Sequence, residues 1–211
     1  MAAPRILIFL LAGAGFVSCQ RKEQPATSTA SPPVATPAVP ALDMEAFAKA
    51  ALDGDLATVR TALAAPDAAN CADPDGRTPL MLAAFNGHSA IAELLLDSGA
   101  KIDTRDQTGR TALMYASSGS NDATVALLIK RGAGVNLADN EEHWTPLMFA
   151  AAEGQTDVAR RLLAAGADPA AADIDGEDSV MFARSKGFAE LADLIAQAKT
   201  RAKEGRSPHR P

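Results

Sequence analysis

Thr78-Pro-Leu-Met-Leu-Ala-Ala84, Thr111-Ala-Leu-Met-Tyr-Ala-Ser117 and Thr145-Pro-Leu-Met-Phe-Ala-Ala151 are copies of one heptapeptide. A fourth copy, Asp178-Ser-Val-Met-Phe-Ala-Arg184, follows them, and a worn one, Glu45-Ala-Phe-Ala-Lys-Ala-Ala51, precedes them. Their starts lie 33, 33, 34 and 33 residues apart. A fixed period of that size belongs to an array of small supersecondary units, none of which can bury its apolar face alone.

Each recurrent residue has a local role. Thr78, Thr111, Thr145 and Asp178 are side chains that accept a backbone N–H at a helix start, and Pro79 and Pro146 stand at the first helical position. Ala83, Ala116, Ala150 and Ala183 keep this first helix slim. A second helix is expected after Gly87, Ser120, Gly154 and Gly187, burying Ile91, Leu94, Leu95 and Leu96 in one unit and Val125, Leu127, Leu128 and Ile129 in the next. It stops at Gly99, Gly132 and Gly166, where a left-handed cap costs glycine little. The chain then leads into Asp73, Asp106, Asp139 and Asp173, each opening a turn.

Thr-Pro-Leu-Met-x-Ala-Ala together with a later Leu-Leu-x-x-Gly-Ala resembles the ankyrin repeat, whose motif has His in place of this Met. The resemblance covers residues 43–198 and implies an all-α solenoid of about five helix-turn-helix units with β-turn fingers. It also implies that the finger tips and the exposed ends of the first helices bind another protein. Carried onto this chain, those positions include Arg77, Phe85, Asn86, Arg110, Glu141, Glu142, His143, Trp144, Glu153, Ile174, Glu177 and Lys186. The fourth finger, Asp139-Asn-Glu-Glu-His-Trp144, is one residue longer than its neighbours and sets the only Trp where they have Arg77 and Arg110. Its indole is expected either at an exposed tip, as a contact hot spot, or lying across the stem of Arg110. Lys49, Thr58, Asp178, Arg184 and Gln197 put polar groups at the two ends of the array, as terminal units require.

The 211 residues are 47% apolar and only 4% aromatic, so the core is one of Ala and Leu. Residues 43–198 hold 24 acidic against 12 basic residues. That balance excludes binding by phosphate neutralisation, so no nucleic-acid partner is expected; it suits a partner carrying positive charge. There are three histidines, two cysteines and no phosphate loop, His-Glu-x-x-His, Cys-x-x-Cys or Gly-x-Ser-x-Gly. Neither catalysis, cofactor nor metal is therefore expected. Met81, Met114, Met148 and Met181 form a ladder that suits Cu(I) chemically, with Cys71 as a thiol nearby in sequence. Spacing of about 10 Å between packed helices makes core filling the better reading of the Met ladder, and Cys71 is expected in a small buried slot.

Arg5 precedes a 12-residue apolar run, Ile6 to Val17, too short to span a bilayer. Residues 1–18 are expected to be a signal peptide. Val17-Ser18-Cys19 resembles the lipobox of bacterial lipoproteins, which implies lipidation of Cys19; cleavage after Ala14 is the alternative. Gln20 in place of Asp favours the outer membrane within a lipid-anchored periplasmic location. Residues 19–42 form a Pro/Ala/Ser/Thr-rich tether that reaches roughly 70 Å at ~3.1 Å per residue. Residues 199–211, with Lys199, Arg201, Lys203, Arg206 and Arg210 against Glu204, are expected to be a basic disordered tail. The partner expected for this monomer is another exported or envelope protein, with the membrane touched only through the lipid.

Overall fold

The first helices are too short to persist alone: α3 (Pro79–Phe85), α5 (Ala112–Ser117), α7 (Pro146–Ala152) and α9 (Ser179–Ser185) are one to two turns each. In the computed structural model, which describes residues 43–205, each is covered by its neighbours in series. From α1 (Met44–Asp53) onward, α1 packs on α3, α3 on α5, α5 on α7 and α7 on α9. The second helices run parallel to this row: α2 (Leu56–Ala62), α4 (Ser89–Asp97), α6 (Asp122–Lys130), α8 (Thr156–Ala164) and α10 (Ala189–Gly205) each pack on the next and on their own first helix. Five helix pairs stand in series, as the period requires.

The starts follow the caps. Thr78 and Thr145 accept the N–H of Met81 and Met148, and Asp178 accepts from Val180 and Met181. The methionines answer in kind: the N–H groups of Thr78, Thr111 and Thr145 donate to the Sδ of Met81, Met114 and Met148 at 3.3, 3.4 and 3.4 Å. At Thr78 and Thr145 a thioether thus closes the reciprocal cap that a glutamate side chain usually closes, whereas at Thr111 only the sulfur half forms and the hydroxyl, expected to cap α5, is buried without a hydrogen-bond partner among the described residues. These three methionines are fully buried, with their sulfurs committed to the backbone.

Columns of side chains run through the stack. Leu80, Leu113, Leu147 and Val180 form one, and Leu95, Leu128, Leu162 and Ile195 another. The stripe on the second helices is narrower than expected. Leu94, Leu96, Leu127 and Ile129 lie half-buried at its margin, while Ala92 and Thr124 take core places, the Thr124 hydroxyl meeting Ser89 Oγ at 2.9 Å. Each of these helices buries three residues, Ile91, Ala92 and Leu95 in α4 and Thr124, Val125 and Leu128 in α6, at spacings of one, three and four. Cys71 is buried, its Sγ donating to the Asp67 carbonyl at 3.7 Å. Gly54, at φ 87°, is required by close approach: a Cβ there would stand 2.7 Å from the His88 ring, which reaches back to the Leu52 carbonyl.

Side chains also stitch one unit to the next below the fingers. Asn70 donates to Gly99 O and accepts from Lys101 N, Asp103 accepts from Gly134 N, and Asn136 repeats the double bond with Gly166 O and Asp168 N. Pro169 occupies the next register and offers no such side chain.

The boundary expected at residue 198 falls inside α10, which continues to Gly205. Lys199 pairs with Asp178, the cap of α9, and Ala198 and Ala202 line one cleft with Pro169 and Ala171. The first part of the basic tail is therefore a helix that seals the last unit. Burial raises the Asp178 carboxyl, but the bonds from Lys199 and the N–H groups of Met181 and Val180 outweigh it and hold it below its ordinary value. Its contribution to stability is present above the unfolded carboxylate pKa of about 3.9 and is lost as pH falls through the lower folded value. Lys199→Ala should therefore lower stability at neutral pH and flatten the acid limb of a denaturation curve. Hydrogen exchange should rise in α9 and α10 and not in α3 to α5, because stability here is shared only between neighbours.

Candidate functional site

Between consecutive helix pairs the chain turns out into a finger built around one aspartate. Asp73 Oδ1 accepts from Asp75 N and Arg77 N, Asp106 Oδ1 from Thr108 N and Arg110 N, and Asp173 Oδ1 from Asp175 N and Glu177 N. Asp139 Oδ1 does the same for Glu142 N and Trp144 N across one more residue. Adjacent fingers are joined by one backbone bond each: Gln107 N to Asp75 O at 3.0 Å, Asn140 N to Thr108 O at 2.9 Å and Ile174 N to Glu142 O at 3.1 Å.

The longer fourth finger closes because His143 adopts φ 60°, the left-handed place that Gly76, Gly109 and Gly176 hold elsewhere. The residue after that turn therefore keeps its register in every finger, and in the third and fourth fingers it leans toward the following unit. Arg110 lies over the Phe149 ring, 5.2 Å from its centroid. Trp144 lies 4.5 Å from Phe182 and 5.2 Å from Phe149, centroid to centroid. Trp144 is thus buried, at 6% exposure, which corrects both expectations for it. It is no exposed hot spot, and its partners are the aromatic rings ahead of it, not the Arg110 stem behind.

One participant missed in the sequence is Tyr115, which stands where the next units have Phe149 and Phe182. Its hydroxyl donates to Asp106 Oδ2 at 2.7 Å. Burial, then that hydrogen bond, pushes the phenol pKa well above its ordinary range. Phe149 has no hydroxyl, and Asp139 Oδ2 is left buried without a hydrogen-bond partner among the described residues, 3.7 Å from Arg110 Nε. The repeat of Thr-x-Leu-Met-Tyr/Phe was the available signal for this column.

The other expected contact residues divide into two groups. Arg77 is half-buried and tied to Asp73 and Asp75, Phe85 meets Tyr115 edge-on at 6.2 Å, and Asn86 is exposed while its amide donates to Leu52 O. These belong to the scaffold as much as to its surface. Glu141, Glu142, His143, Glu153, Ile174, Glu177 and Lys186 are exposed. Glu141, Glu142, Asp175 and Glu177 make the fourth and fifth fingers an acidic rim, and none of them is ion-paired among the described residues. The second finger differs, since Arg77 pairs with Asp73 and Asp75 inside it, while Arg110 of the third finger faces Asp139 of the fourth. Among the described residues no group of three or more His, Cys, Asp and Glu is placed to hold a metal ion, and no helix is long and apolar enough to cross a membrane. Cys19 lies outside the described residues.

Trp144→Ala should behave as a core truncation and cost about 3–5 kcal/mol in denaturant unfolding. His143→Gly should act in the opposite direction, adding about 0.5–1 kcal/mol by relieving the left-handed turn.

The ankyrin repeats (3 copies) family matches residues 47–139, 101–173 and 120–204. Comparison with curated proteins finds no match. The matched segments span all but the first few described residues and coincide with the stacked helix pairs and fingers, so the chain belongs to the ankyrin-repeat family.

Proposed function

We infer that this chain is a non-catalytic protein-binding module whose partner meets the acidic rim of the fourth and fifth fingers and the neighbouring first-helix ends. The observation that carries this reading is the division of labour among side chains. The aspartates, Arg110, Trp144 and the aromatic column are occupied in holding fingers and units together, whereas the carboxylates of Glu141, Glu142, Asp175 and Glu177 have no ion-pair partner among the described residues. Repeats of this family generally bind proteins, and an unpaired rim of one sign steers an oppositely charged partner. The partner is thus a protein with a basic surface.

The segment before the repeats supports an exported location. Arg5, the short apolar run and Val17-Ser18-Cys19 read together as a lipoprotein leader, and Gln20 favours the outer membrane. On this reading Cys19 carries the anchor and residues 20–42 hold the repeats away from the bilayer in the periplasm. Two roles fit such a tethered module: an immunity protein that occludes a toxin, and an accessory factor for a periplasmic enzyme such as catalase. A toxin gene or a catalase gene beside this one separates them. The rival reading, a Cu(I) or redox protein built on the methionine ladder and Cys71, is opposed by the burial of three of the four sulfurs and their bonds to threonine N–H groups.

The test is affinity purification from envelope extract with the full chain against the double variant Glu142→Lys with Glu153→Lys. Both side chains are exposed, so the fold should be kept while a captured basic partner falls at least tenfold. Equal capture by both would overturn the reading. Cys19→Ser should move the protein from the membrane to the soluble fraction.

A further inference from the structure

The last unit closes its helices and leaves its finger open. On the helix side the end is polar: Arg184 reaches Asp193, and Gln197, Thr200 and Arg201 line the outer side of α10. On the finger side the pattern stops mid-step. Asp75 O, Thr108 O and Glu142 O each accept a backbone N–H from the following finger, and Asp175 O, at the same register, has no hydrogen-bond partner among the described residues. The methionine ladder breaks off at the same place. Met81, Met114 and Met148, each with a unit beyond it, are at most 1% exposed, while Met181 is 48% exposed. Ile174, beside Asp175 on the finger tip, is the most exposed large apolar residue of the described chain at 55%. The carboxylates of Asp175 and Glu177 flank this spot without a cation.

We propose that this open finger edge is where an extended basic segment of the partner protein docks, as a further rung of the finger ladder. A backbone N–H of that segment donates to Asp175 O, an apolar side chain covers Met181, and Lys or Arg side chains meet Asp175 and Glu177. Continuity with the existing ladder sets the backbone direction, and the charge of the tip sets the chemistry of the occupant. Strand addition of this kind takes affinity from main-chain bonds and specificity from alternate side chains. The proposal rests on the protein-binding reading above and narrows it to one edge.

The test uses the full chain and a fluorescent hexapeptide, acetyl-Thr-Lys-Val-Arg-Ile-Lys-amide, in anisotropy titrations. Saturable binding is expected, at least tenfold weaker for the double variant Asp175→Lys with Glu177→Lys and for Met181→Glu, and unchanged within twofold for Glu45→Lys, an exposed position on the first unit. N-methylation of the peptide at one backbone amide should weaken binding at least tenfold, a result that requires no change in the protein. Binding insensitive to every N-methylation and to both edge variants would overturn the proposal, as would the lack of any binding. Two further outcomes would reassign the edge and so overturn it. One is self-association of the chain abolished by Met181→Glu, which assigns the edge to a second copy. The other is at least tenfold tighter peptide binding after removal of residues 206–211, which assigns it to the chain's own end. If the peptide fails while partner capture still depends on Glu142 and Glu153, the edge proposal alone falls; if partner capture is insensitive to those residues, the broader reading falls with it.

Discussion

A helix such as α7, seven residues long, has no stability of its own, and its apolar surface is removed from water only because α5, α8 and α9 lie against it. This dependence on neighbours governs the rest of the molecule. It fixes alanine at Ala83, Ala116, Ala150 and Ala183, where a larger side chain would hold adjacent first helices apart. It also puts the reciprocal threonine–methionine caps inside the stack, where the polarisable sulfur both fills space and accepts a hydrogen bond. Exposed ion pairs such as Arg161 with Asp122 and Arg131 with Asp97 follow the same seams but add little.

The fingers extend the same logic to polar groups. Each aspartate satisfies N–H groups of its own turn, and in the third and fourth fingers the residue after the left-handed position covers the first helix of the next unit. Arg110 and Trp144 do this with different chemistry, a cation over Phe149 and an indole against Phe182. The joint between the third and fourth units is the less complete one. Tyr115 closes the hydrogen bonding of Asp106, whereas Phe149 leaves one oxygen of Asp139 facing Arg110 at ion-pair distance only. A buried acceptor left in that condition is a local cost of about 1–3 kcal/mol that the neighbouring aromatic packing offsets.

The period, the caps and the aspartates that open each finger are local features, and the chain could be parsed into five helix pairs from them alone. The direction of Trp144 could not. An indole in a loop rich in glutamate reads as exposed, and only the left-handed backbone at His143 carries it back into register and over the next unit. Tyr115 was visible as a member of the repeat, but its bond to Asp106 depends on the finger folding back over the helix. The pairing of Lys199 with Asp178 spans 21 residues and turns a basic stretch into helix, which composition alone does not reveal. The exposure of the glutamates was legible because nothing in the repeat explains them; the packing of Arg110 and Trp144 was not, because Phe149 and Phe182, on which they lie, belong to the unit that follows each of them.

Pro169 has a consequence for how this array evolves. Asn70, Asp103 and Asn136 each clasp the loop of the succeeding unit, and proline at the next such place can neither give nor take that clasp. Tandem duplication of the fifth unit would yield a joint lacking its loop bonds, with the α10 extension already lying where the added loop would run. Lengthening by copying is therefore favoured among the inner units, and the number of fingers ahead of the acidic rim can change without altering the rim itself.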